Sequence, residues 1–450
     1  MKSRNNKQGT RNKEQRTKNP NKNSRKHLLI SKTLPIFTKY FTYTNNMKNK
    51  KYIPRPLYFD KIEPFIGTGL IKVLTGQRRV GKSYVLLQVI DEIRKRDTKA
   101  HIIYINKEDY LFESIKTHVH LMDYLNSHRN KALNHYLFID EIQEITDFEL
   151  ALRSLLAKDG WDIYITGSNS SLLSGELASF LSGRYIQIPI HALSYPEFLK
   201  FHQLDESAVS FLKYIRWGGM PHLINLPPED AVIFEYLKNI HNTIILRDII
   251  TRYNIRNVKF LQDLISYLAD ITGSILSAKR ISDYLKSQQI NITPRLVLEY
   301  LVFLESVYLI DRVKRMEVEG KKIFEIGEKF FFEDLGMRHA TIPFQQKDIG
   351  KVLENLVYHH LVVNGNQVFV GKNGDKEIDF VAIKGETKTY IQVAYLIPDE
   401  KTHQREFGNL LSIPDNCAKI VVSMDETATG NYKGIEHISI RNFLMTQAHT

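Results

Sequence analysis

The stretch from Leu70 to Ser83 reads Leu-Ile-Lys-Val-Leu-Thr-Gly-Gln-Arg-Arg-Val-Gly-Lys-Ser. An apolar, β-branched run over 71–74 stops at Gly76, and apolar residues at helical spacing resume over 84–93. Strand, glycine loop, helix is the context a phosphate-binding loop needs. Gly76, Gln77, Arg78, Arg79, Val80, Gly81, Lys82 and Ser83 fill its G-x-x-x-x-G-K-S pattern. The two glycines permit backbone conformations that a Cβ forbids. Main-chain N–H groups then line an anion nest at the positive end of the helix. Lys82 is placed to reach the β- and γ-phosphates, and Ser83 offers a hydroxyl to Mg²⁺.

Outward from that loop, strands are expected over 101–105 and 136–139. The second ends in Asp140-Glu141, which puts two carboxylates at a strand tip, the edge where α/β sheets bind ligands. Asp140 is the expected Mg²⁺ residue, directly or through water, and Glu141 the residue that polarises the attacking water. A strand over 161–166 ends in Gly167-Ser168-Asn169-Ser170. Two readings of that cluster stand: Asn169 senses the γ-phosphate and positions water, or the segment is a plain turn. Arg184, before a strand over 185–190, is either a finger stabilising charge on the phosphoryl group or a surface arginine.

The net charge of +12 is unevenly spread. Residues 1–50 hold 14 Lys or Arg against Glu14 alone, and the remaining 48 basic and 49 acidic residues nearly cancel. The pI therefore does not argue for nucleic-acid binding. Residues 1–46 lack periodicity and are expected to be a disordered basic tail. They read as an arm for nucleic acid, as a transit peptide, or as residues ahead of a native start at Met47. Cys417 is the single cysteine, which excludes an internal disulfide and a cysteine zinc cluster. No apolar run approaches the roughly 18–20 residues of a membrane helix, so a cytoplasmic protein with no membrane partner is expected.

Four motifs together carry a family resemblance: Gly-Gln-Arg-Arg-Val-Gly-Lys-Ser, Leu-Phe-Ile-Asp-Glu-Ile-Gln, Ile-Thr-Gly-Ser-Asn-Ser and Leu-Ser-Gly-Arg. With Arg-Trp-Gly-Gly-Met-Pro over 216–221, the chain resembles the prokaryotic AAA+-related ATPases of the AAA-14 plus DUF4143 type. The resemblance implies ATP and Mg²⁺ as cofactors. It also implies an additional-strand P-loop sheet, with a further strand between those carrying Lys82 and Asp140.

Beyond the core, residues 196–260 read as a helical lid, with Arg247 and Arg252 either contacting nucleotide or lying on a solvated face. Residues 261–340 give three helices and two strand-like runs with a turn at 319–320, a winged-helix pattern. Its third helix shows Arg295 and then Glu299 and Glu305, a poor face for phosphates, so DNA and protein both stand as partners. Residues 341–450 alternate helix and strand, and Glu354, Asp379 and Gln392-Val393-Ala394 resemble a PD-(D/E)xK nuclease core. Gln392 stands where an acid is expected and Ala394 where the lysine belongs, with Lys376 or Glu377 as possible substitutes; cleavage is not expected. The whole reads as an α/β ATPase: tail 1–50, P-loop core 51–195, lid 196–260, winged helix 261–340 and nuclease-like domain 341–450. ATP hydrolysis would drive or switch the output modules, in a chain that is a candidate homo-oligomer. The alternative is an ATP-gated protein that binds or cleaves DNA.

Overall fold

The computed structural model describes residues 52–129, 133–158, 160–170, 181, 183–318, 325–426 and 430–446. The basic tail and the turn at 319–320 lie outside the described residues.

Five apolar runs pair into the first sheet: β1 (Ile71–Thr75), β2 (Ala100–Asn106), β3 (Asn134–Asp140), β4 (Trp161–Gly167) and β5 (Tyr185–Pro189). All pair in parallel, in the order β2-β3-β4-β1-β5. Every residue of β1 and of β4 is buried, as central parallel strands covered on both faces require. The covering helices include α1 (Pro56–Ile62), α2 (Lys82–Arg96), α3 (His118–His128) and α4 (Phe148–Leu156). β4 lies between β1 and β3, with Leu74 opposite Thr166 and Ile139 opposite Ile165. This is the inserted strand that the resemblance implied. Because all five strands run the same way, Thr75, Asp140 and Gly167 end on one edge.

Helices α5 (Tyr195–His202), α6 (Ala208–Trp217) and α7 (Asp230–Thr243) follow, and α7 continues through a π-helical stretch, Ile244–Thr251. Ser194 and Glu197 form a capping box that starts α5. The Gly218-Gly219 break is a joint rather than a loose turn. Gly218 sits at φ +73°, and a Cβ there would lie 2.5 Å from the Asp334 carboxylate. That carboxylate accepts the Gly219 N–H.

Next come α8 (Val258–Asp270), α9 (Ala278–Ser287), α10 (Pro294–Ser306), the antiparallel pair β6 (Ile310–Glu317) and β7 (Glu325–Phe332), and α11 (Leu335–Thr341). Thr293 caps α10 and Pro294 opens it, as the sequence indicates. The remainder is α12 (Ile349–Val363), β8 (Gln367–Asn373), β9 (Lys376–Lys384), β10 (Thr387–Val393), α13 (Glu400–Leu411), β11 (Ala418–Ser423), β12 (Gly430–Tyr432), β13 (Ile435–Ser439) and α14 (Ile440–Met445).

The β6–β7 pair does not stand free. β6 pairs in parallel with β8, giving one eight-stranded sheet in the order β12-β13-β11-β10-β9-β8-β6-β7. The boundary expected near residue 340 is therefore bridged by main-chain hydrogen bonds. The physical reason is apolar cover: Met316 and Val318 pack onto the core of Phe369, Ile378, Val381 and Phe407.

Candidate functional site

At the end of β1 the chain passes so close to the residue after β5 that only glycine fits. Gly76 has φ +144°, and a Cβ there would lie 2.1 Å from the Ile190 carbonyl oxygen. Gly81, at φ +99°, is the left-handed residue that starts α2. Between them Arg79 also has a positive φ, 73°, despite its side chain, the kind of backbone strain found at binding loops. Arg55 props the loop from below. Its guanidinium donates to the Val80 carbonyl at 2.9 Å and the His191 carbonyl at 3.0 Å, and pairs with Glu197 through two bonds of 2.8 Å.

The Lys82 ammonium, almost wholly buried, donates to the carbonyls of Gly76 at 2.9 Å and Gln77 at 3.0 Å. It lies 3.8 Å from Glu141 Oε1. Burial lowers its pKa, while the Glu141 and Asp140 carboxylates oppose the shift. Its two short contacts are to the loop's own carbonyls, partners that phosphate oxygens can replace.

Asp140 ends β3 and is buried. It accepts hydrogen bonds from the hydroxyls of Thr166 at 2.5 Å, Tyr104 at 3.2 Å and Ser83. Burial and the neighbouring Glu141 raise its pKa, and the bonds from Ser83 and Thr166 oppose that rise. The two expected metal-binding residues thus touch, and they offer the oxygen donors Mg²⁺ prefers. Glu141 takes a left-handed turn (φ 58°, ψ 56°) and its N–H donates to Thr166 Oγ1 at 2.9 Å. Ser168 donates to its carboxylate at 2.9 Å, and Gln143 donates to the same oxygen. Burial alone would raise the Glu141 carboxyl, but Lys82, Gln143, Arg78 and Ser168 hold it below the usual range. It therefore stays ionised, the state in which it can accept a water proton.

The other expected residues are distributed differently. Asn169, buried just past β4, donates to the Tyr253 hydroxyl at 3.4 Å; Tyr253 in turn donates to Ser306 on α10 at 2.8 Å. Arg78 turns its side chain out of the loop and forms a bidentate pair with Asp248, at 2.9 and 3.2 Å. Arg184 stands at the opposite end of the sheet: its carbonyl accepts the Ile71 N–H, where β1 begins. Five strand residues, roughly 16 Å, separate that end from the loop. Arg247 and Arg252 are exposed, and Arg247 pairs with Glu144 at 3.4 Å, on a solvated face.

Three participants escaped the sequence reading. Thr166, from the inserted strand, donates to the Asp140 carboxylate and accepts the Glu141 N–H. Asp248, a lone acid in Ile-Ile-Leu-Arg-Asp-Ile-Ile, was discernible by its apolar surroundings. Lys329, on β7, brings its ammonium 2.8 Å from Glu354, 2.8 Å from Glu377 and 3.3 Å from Asp379. A lysine thus enters this carboxylate cluster from β7, whereas Lys376 is exposed.

A five-stranded parallel sheet in this order, with a glycine loop after β1 and paired acids after β3, defines an additional-strand P-loop fold. The AAA domain family AAA_14 matches residues 68–199, and a domain of unknown function, DUF8612, matches residues 209–348. The domain of unknown function matched is thus DUF8612, ahead of the segment 341–450 where a DUF4143-type domain is expected. An uncharacterized protein of Haemophilus influenzae is 33% identical over 405 residues, covering 88% of this chain and 100% of the relative. The uncharacterized protein MJ1544 of Methanocaldococcus jannaschii is 34% identical over 355 residues, covering 75% of this chain and 77% of the relative. The chain belongs to the family of these relatives, and its AAA domain makes it an AAA-related P-loop protein. Among solved structures, the Walker-type ATPase PABY2304 of Pyrococcus abyssi is similar at 16% identity and a TM-score of 0.46, covering 65% of this chain and 96% of that one. No helix among the described residues is long and apolar enough to cross a membrane.

Proposed function

We propose that this chain is a Mg²⁺-dependent ATPase. The observation that carries the reading is the meeting of Lys82, Ser83, Asp140 and Glu141 at one sheet edge, with Lys82 3.8 Å from Glu141. The amides of 76–83 and the Lys82 ammonium grip the triphosphate. Ser83 and Asp140 would hold Mg²⁺, which when bound screens the phosphate charge. Glu141, fixed by Ser168 and Gln143, orients the attacking water, and Asn169 reads the γ-phosphate from the tip of β4. Arg184 contributes only by reaching the site of a neighbouring subunit, so activity rises with assembly.

The output is carried by residues 196–450, read as a helical lid, a winged helix and a nuclease-like module. The bidentate Arg78–Asp248 pair supports a lid coupled to the loop. The winged helix docks DNA or protein. In the nuclease-like module the Lys329 ammonium stands among the carboxylates that would bind a metal, which favours an inactive site over DNA cleavage. Hydrolysis measured at two protein concentrations, with and without DNA, tests the whole reading. A rate that Lys82→Ala and Glu141→Gln leave unchanged overturns it, and cleavage of supercoiled DNA lost on Asp379→Ala overturns the inactive module.

A further inference from the structure

His191, Glu333 and His359 meet in the interior from three separate elements: just past β5, just past β7, and within α12. One ring nitrogen of each histidine and one Glu333 oxygen lie within 4.8 Å of one another. His191 Nδ1 is 3.1 Å from both carboxylate oxygens. His359 Nε2 stops 4.0 Å from Oε1, beyond hydrogen-bond reach. The rings stand at 89° to each other, with centroids 6.0 Å apart. His191 and His359 are 8% and 7% exposed, and the Nε2 atom of each has no hydrogen-bond partner.

Buried polar atoms without partners call for an explanation. Neither tautomer of His359 supplies one. Protonated at Nε2, it is a donor too far from the carboxylate; unprotonated, it points a lone pair toward negative charge. A cation between the three groups satisfies the nitrogen and the carboxylate together. The nearby Arg55 does not fill that place, because Glu197 already pairs with it. Two imidazoles and a carboxylate suit zinc and its late first-row neighbours, whereas Mg²⁺ takes oxygen donors. Zinc bonds of about 2.0–2.2 Å set tetrahedral ligand atoms roughly 3.4 Å apart, so the 4.0 Å gap closes with a small ring movement.

We propose that His191, Glu333 and His359 form a transition-metal site, with Zn²⁺ as its best match, that joins the ATPase core to the second sheet. The site adjoins the nucleotide loop. Ile190, one residue before His191, has its carbonyl against Gly76, and the His191 carbonyl shares the Arg55 guanidinium with Val80. A bound ion would pin α12 and the end of β7 to the backing of that loop.

The test is calorimetric titration of the chelator-stripped full chain with ZnCl₂, with elemental analysis after dialysis. One zinc per chain is expected for wild type and for the distant control His403→Gln, and affinity weaker by about 100-fold or more for His359→Gln, which loses a direct ligand rather than an outer partner. Zinc should raise the melting temperature of wild type and leave that of His359→Gln unmoved. Should the variant fail to fold, Co²⁺ titration of wild type keeps the test open: visible d–d bands at one equivalent support the site. No zinc uptake by wild type, no cobalt bands, or unchanged zinc affinity in folded His359→Gln overturns it.

Discussion

Two of the buried lysines, Lys82 and Lys329, face carboxylates and are held in opposite ways. Lys82 makes its short hydrogen bonds to main-chain carbonyls and keeps its acidic neighbour at 3.8 Å. Lys329 sits within 3.3 Å of three carboxylates at once. Burial lowers the first ammonium, whereas Asp379, with Glu377 and the hydrogen bond to Glu354, overcomes burial and holds the second above its usual range. A lysine that must grip an arriving anion is left with exchangeable partners. A lysine saturated by fixed acids balances charge and keeps the place of a cation filled. On the proposed function, similar residue types give a binding site in the first sheet and a structural cluster in the second.

If that contrast holds, removing each lysine should break a different property. Lys82→Ala should abolish ATP turnover, with a loss on the order of 10³-fold in kcat/KM, and leave the melting temperature within a few degrees of wild type. Glu141→Gln should cost about 10²-fold in kcat while ATP still binds, read by calorimetry in Mg²⁺. A Lys82→Ala protein that hydrolyses ATP normally would show that this ammonium is structural, like its counterpart.

The part of this contrast that was legible in the sequence is the local part. Gly76 to Ser83 are contiguous, and Asp140 and Glu141 finish an apolar run, so their placement follows from strand ends alone. What could not be read is what arrives from a distance. Thr166 meets the Asp140 carboxylate and the Glu141 N–H only because β4 inserts between β1 and β3. Arg78 finds Asp248 across 170 positions. Lys329 reaches Glu354, Glu377 and Asp379 because β7 joins their sheet through β6, which pairs with β8, and a parallel pairing leaves no turn signal between the partners. Residues 430–445 were missed because β12 spans three residues, too few to show alternation.

Lys329→Met is the next discriminating change. Removing one partner of a buried ion pair leaves uncompensated charge and costs about 3–5 kcal/mol. Urea unfolding should show that loss in the second sheet, with ATP binding at the first sheet retained by the folded fraction. Added Mg²⁺ should restore part of the stability, because a divalent cation can then enter among Glu354, Glu377 and Asp379. A variant as stable as wild type, and indifferent to Mg²⁺, would mean that the ammonium is not balancing these acids.

The smallest effect is in the pH dependence, and its sign separates the two sites. Burial, with Asp379, raises the Glu354 carboxyl to about 8 against an ordinary value of 4.5. Between those values the native chain keeps a proton that the unfolded chain has released. Glu354 therefore contributes stability at acid pH that is lost as pH rises toward 8, with a slope of at most about 1.4 kcal/mol per pH unit. Glu141 is shifted the other way, below 4.5, so its contribution is present above that value and is lost as pH falls through its folded pKa. Urea midpoints from pH 4 to pH 8 should rise less steeply with pH in wild type than in Glu354→Gln, and Glu141→Gln should alter only the acid limb. Identical pH profiles for the two variants would mean that their carboxylates share one electrostatic setting, and the contrast between the lysines would then rest on distance alone.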